Sequence, residues 1–84
     1  MQKAIIKLAY DELKKSEYVG IDEIVDIGDR VVFWGKSKEM DYSNTPIVID
    51  KVTLVVKPFF EYDPTNFDLV ENGTHINVPD EYKK

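Results

Sequence analysis

The chain has 84 residues, 43% apolar and 12% aromatic, with 16 acidic against 11 basic side chains for a net charge of −5. That length leaves room for one core, so residues 1–84 read as a single domain, and the apolar share is too high for a disordered chain. The acidic balance without a concentrated basic patch argues against direct nucleic-acid binding, no stretch approaches the ~20 apolar residues of a membrane helix, and the lack of cysteine favours a reducing, cytoplasmic setting.

Residues 2–17 carry a helical pattern. Ile5, Ile6, Ala9, Tyr10 and Leu13 recur at the spacing of one buried stripe, with Leu8 at its margin and Lys3, Lys7, Asp11, Lys14 and Lys15 on the other side. Lys14 and Lys15 suit the negative end of the helix dipole, and Gly20 is a natural stop. Lys7 and Asp11 interrupt the apolar run, so this segment does not read as a secretory leader.

From Ile21 the period shortens. Ile24–Ile27 and Arg30–Trp34 are rich in β-branched and aromatic residues and flank Gly28-Asp29, which suits a two-residue hairpin turn with glycine first. The alternative is a short second helix over Asp22–Ile27, with Asp22-Glu23 as its cap. Residues 35–45 form a polar connection, long for so small a domain.

Pro46 opens the most apolar stretch, Ile47–Phe60. Val48, Val52, Leu54, Val56 and Phe60 would line one face, with Ile47, Ile49, Val55 and Phe59 on the other, as in an interior strand. Asp50-Lys51 would break it into two strands, and Pro58 marks an edge or bulge. Asp63-Pro64-Thr65-Asn66 has turn composition. Asn72-Gly73 is the preferred dipeptide of a tight hairpin, which predicts paired strands over residues 67–78, with Phe67 opposite Val78 and Leu69 opposite Ile76. Pro79 would end the sheet and leave 79–84 as a frayed tail. The expected fold is α+β: one N-terminal amphipathic helix packed on an antiparallel sheet of about four to six strands.

Little in the chain is arranged for chemistry. His75 is the only histidine and is expected to point outward beside a turn. Asp63, Asn66, Asp68 and Glu71 form an oxygen-rich run, but their spacing does not match an EF-hand loop. Ser16, Ser37 and Ser43 sit in no nucleophile motif, and glycines 20, 28, 35 and 73 are too scattered for a phosphate loop. Asp26 and Asp50 lie within apolar strands, where the ordinary reading is an outward position. No catalytic, cofactor or metal residues are assigned.

One pattern is not a requirement of folding. Between Lys57 and Lys83 there is no lysine or arginine, while Glu61, Asp63, Asp68, Glu71, Asp80 and Glu81 alternate with Tyr62, Phe67 and Tyr82. Glu61, Tyr62, Asp63, Asp68, Glu71 and Tyr82 are therefore the candidate protein-binding residues, suited to a basic partner, against the plainer alternative of a solvated edge whose aromatics belong to the core. The leading expectation is a non-enzymatic interaction module, a regulator or inhibitor of a protein with a basic surface. The rivals are a homo-oligomer paired through the second sheet face and a small-ligand binder with a pocket between helix and sheet.

Overall fold

The computed structural model describes residues 3–37, 45–60 and 62–83. Their order is α1 (Lys3–Lys15), β1 (Gly20–Asp26), β2 (Arg30–Lys36), β3 (Ile47–Asp50), β4 (Val56–Pro58), α2 (Pro64–Glu71), β5 (Thr74–Ile76) and a closing 3-10 turn, Asp80–Tyr82. The five strands form one antiparallel sheet in the order β4-β3-β2-β1-β5. Among the described residues no helix is long and apolar enough to cross a membrane.

Helix α1 buries Ile5, Ile6, Ala9 and Leu13, the stripe its spacing predicts. It stops before Gly20. Tyr18 N–H donates to the Leu13 carbonyl at 3.1 Å and Glu17 N–H to that of Lys14 at 3.2 Å, the two bonds of a Schellman cap. The left-handed position of that cap is held by Glu17, at φ 70°, where glycine is the usual occupant.

Residues 22–27 are strand, so the short-helix alternative is set aside. The β1–β2 turn has Gly28 at φ 112°, with Ile27 N–H donating to the Arg30 carbonyl at 3.0 Å. Alternation then sorts the sheet into two faces. Ile24, Val31, Phe33 and Ile49 meet α1, while Val32 and Val48 face the other way and pack with Phe59, Ile27, Trp34 and Val70.

The apolar stretch after Pro46 divides where Asp50-Lys51 suggests, into β3 and β4, and β4 with Pro58 is a sheet edge. Val52 and Leu54 are not on a strand face. They belong to the turn, in which Asp50 N–H donates to the Val55 carbonyl and Leu54 stands at φ 59°. The second face of the sheet is covered by Phe59 and α2.

The predicted 67–78 hairpin is corrected. Residues 64–71 are helix, and Thr74–Ile76 pairs with β1 (Ile24 with Ile76, Val25 with His75, Asp26 with Thr74). The reason is local: Asp63 is an N-cap and Pro64 occupies the first turn, where its missing N–H costs nothing. Asn72 then ends the helix at φ −94° instead of opening a hairpin. Gly73 is required by close approach, because a Cβ there would lie 2.5 Å from Val25 Cγ1 and 2.9 Å from the Asp26 carbonyl oxygen. The α+β class survives, since α1 and the antiparallel sheet do not depend on how 67–71 folds. Within the segment expected to be a frayed tail, Asp80–Tyr82 forms a 3-10 turn that returns Tyr82 to the α1 side, its ring centroid 5.1 Å from that of Tyr10.

Candidate interaction surface

Helix α2 lies on the sheet face opposite α1 and is anchored by few groups. Asp63 Oδ1 accepts from Thr65 N–H at 2.9 Å and Asn66 N–H at 3.4 Å, and Asn66 Nδ2 donates to the Phe60 carbonyl at 3.0 Å. Asn66, Leu69 and Val70 turn partly inward, and no α2 residue is fully buried. Pro64, Phe67, Asp68 and Glu71 follow the i, i+3, i+4, i+7 spacing of the outward face, and all four are exposed.

Several cations elsewhere in the molecule are held in ion pairs. Lys7 pairs with Asp11, Lys15 with Glu12, Arg30 with Asp29, Lys51 with Asp26 and Lys83 with Asp80. The carboxylates of Asp68 and Glu71 have no partner among the described residues. Phe67, next to Asp68 in the chain, is 56% exposed. All six large apolar side chains that are well exposed among the described residues fall in one segment: Val52, Leu54, Val55, Phe60, Tyr62 and Phe67.

Of the six residues singled out from sequence, Asp68 and Glu71 lie on α2, Asp63 is its cap, and Tyr62 directly precedes that cap in the chain. Tyr62 is 90% exposed, while Asp63 serves as the helix cap. Tyr82 does not belong with them, since it packs with Tyr10 across the sheet, and Glu61 lies outside the described residues. Phe67 was assigned to a strand pair by the hairpin reading. Its place on the outward face was legible from Asp63-Pro64 as a helix start followed by 3.6-residue spacing.

The acids considered for chemistry have structural duties. Lys51, whose Nζ donates to Asp26 at 2.8 Å, holds that carboxyl below its ordinary range against the opposing effect of burial. Asp50 is likewise lowered because it accepts from Thr53 and Val52 N–H groups in the β3–β4 turn. A general acid working at neutral pH needs the opposite shift. Nδ1 of His75 lies 3.1 Å from Glu23 on an exposed edge, and among the described residues no group of acids and histidines could hold a metal ion.

Asp26 also lines a groove of about 510 Å³ between α2 and the β1–β2 turn, together with Ile27, Thr65, Asp68, Asn72 and Thr74. It is an open trough, and its Asp26 is already paired with Lys51. No family model, curated protein or solved structure matches the chain.

Proposed function

We propose that this protein is a small non-enzymatic interaction module that docks the outward face of α2 on a basic protein surface, acting as a regulator or inhibitor in the cytoplasm. The observation that carries the reading is the exposed Phe67 flanked by the unpaired carboxylates of Asp68 and Glu71 on a helix with no cation. An aromatic ring gives a desolvating anchor at low entropic cost, and free carboxylates steer a basic partner towards it. Helix α2 itself carries two acids and no lysine or arginine, so its outward face presents negative charge.

The test is capture of partners by the full chain and by an Asp68→Lys/Glu71→Lys variant, followed by association kinetics over a salt series. A basic partner should be lost by the variant, with an on-rate that falls as exposed charges are screened over about 8–10 Å. A captured partner that binds both proteins equally well at every salt concentration refutes the reading.

A further inference from the structure

The sheet face that carries α2 is not acidic throughout. Beside the helix lies a cavity of about 190 Å³ lined by Arg30, Val48, Asp50, Thr53, Val55 and Lys57. Register explains its composition: Arg30 is opposite Asp50 and Val48 is opposite Lys57, so these side chains share the face with Val32. The floor is apolar, formed by buried Val48 and half-exposed Val55. The rim is cationic. Lys57 has no ion-pair partner among the described residues, while Arg30 lies 3.4 Å from the exposed Asp29 carboxylate and, opposite Asp50, also favours the charged form of that acid. Arg30 and Lys57 stand against the single carboxylate of Asp50, so the lining side chains carry a net charge of +1.

Val48 joins this hollow to the α2 ridge, because it also packs in the cluster that Val70 touches. Phe67 and Val70 are three residues apart and share that flank of the helix, whereas Asp68 and Leu69 line the groove on the opposite flank. An apolar knob edged by acids thus stands next to an apolar hollow edged by cations, on one face of one chain.

We propose that this face pairs two copies of the chain about a two-fold axis, Phe67 of each entering the Val48–Val55 hollow of the other while Asp68 and Glu71 meet Arg30 and Lys57. A two-fold contact uses the same patch on both copies, so knob and hollow must be neighbours, as they are here. Charge complementarity selects a second copy as the occupant: the cations of the hollow match the acids of the adjoining ridge. The inference goes beyond the basic-partner reading and does not depend on it. Because both uses engage Asp68 and Glu71, self-pairing and capture of a basic partner exclude each other.

Light scattering and sedimentation of the full chain, over a hundredfold concentration range reaching about 1 mM, test the pairing. Wild-type protein should shift from monomer to dimer. Reversing the ridge (Asp68→Lys/Glu71→Lys) or the hollow (Arg30→Glu/Lys57→Glu) should weaken self-association by about tenfold or more. Mixing the two variants should restore a dimer, since both contacts of the mixed pair again bring opposite charges together. Lys57→Glu and Phe67→Ser, at exposed positions, give the same readout should the double hollow variant fail to fold. A wild-type chain monomeric throughout, reversed variants that dimerise as wild type does, or a mixture that stays monomeric overturns the proposal.

Discussion

Lys51 in the β3–β4 turn reaches across the end of the sheet to Asp26, its Nζ 2.8 Å from Oδ2. The contact ties the β3–β4 turn to the end of β1, and Lys51 N–H adds a 3.1 Å bond to the Asp29 carbonyl in the neighbouring turn. Asp26 also accepts from Gly28 N–H at 2.9 Å, so one carboxylate serves both turns.

Acid should weaken this tie in a defined direction. The carboxyl of Asp26 is lowered on folding, chiefly by the hydrogen bond from Lys51, so its stabilising effect is complete above the ordinary carboxylate range. It is lost as pH falls through the lower, folded value. Lys51→Met should cost up to about 1 kcal/mol at neutral pH, the scale of a partly exposed pair. Urea unfolding of both proteins should show that difference shrinking towards zero as Asp26 protonates. A difference that persists undiminished in acid means that Lys51 acts through packing alone.

Two positions are less stable than they need be. Glu17 and Leu54 occupy the left-handed region at φ 70° and 59°, a conformation that costs an L-residue roughly 1–2 kcal/mol. Glycine removes that strain at some expense in unfolded-state entropy, so Glu17→Gly and Leu54→Gly should each stabilise the fold, by up to about 1 kcal/mol. Thermal midpoints should rise by a few degrees, roughly 4–8 °C per kcal/mol in a domain of this size. Falling midpoints would show that these side chains contribute more by contact than they lose by strain.

Gly73 separates the hairpin reading from the observed helix end. A tight hairpin turn tolerates asparagine where it needs positive φ. At position 73 the obstacle is any Cβ, because Val25 and the Asp26 carbonyl stand too close. Gly73→Asn and Gly73→Ala should therefore be similarly destabilising, by about 1–3 kcal/mol as for overpacking elsewhere. Chemical denaturation of the two variants decides it, and a well-tolerated asparagine would favour the turn.

The half of the molecule built on strong periodicity was legible in the sequence: Ile5, Ile6, Ala9 and Leu13 mark α1, and Gly28-Asp29 marks the first hairpin. Residues 63–73 were not, because their local signals conflict. Asn72-Gly73 serves a hairpin or a helix end, and Asp63-Pro64 serves a turn or a helix start. Eight residues with no fully buried side chain give periodicity too little to arbitrate with. The candidate site inherits this ambiguity. Its acids and the neighbouring Phe67 were legible from composition along the chain, whereas the packing of Tyr82 on the α1 side and the Val48–Val55 hollow came only with the observed tertiary structure and the pairing of β3 with β4.

Asp63 allows the structural and functional uses of the acidic segment to be told apart. Its carboxylate caps α2, whereas Asp68 and Glu71 do nothing comparable for the helix. Asp63→Asn keeps an acceptor for Thr65 and Asn66 N–H while removing one charge, so stability should stay close to wild type. Asp63→Ala removes the acceptor as well and should cost about 1 kcal/mol, read by urea unfolding. Asp68→Asn/Glu71→Gln should leave stability within about 0.5 kcal/mol, as exposed substitutions do, yet slow association with a basic partner. Asp63→Asn alone should slow it less, its charge being one of three and already engaged by the Thr65 and Asn66 N–H groups. Stopped-flow association at low and physiological salt distinguishes these cases. If Asp63→Asn slows binding more than the Asp68/Glu71 pair does, the contact is centred on the start of α2 and Phe67 is not its anchor.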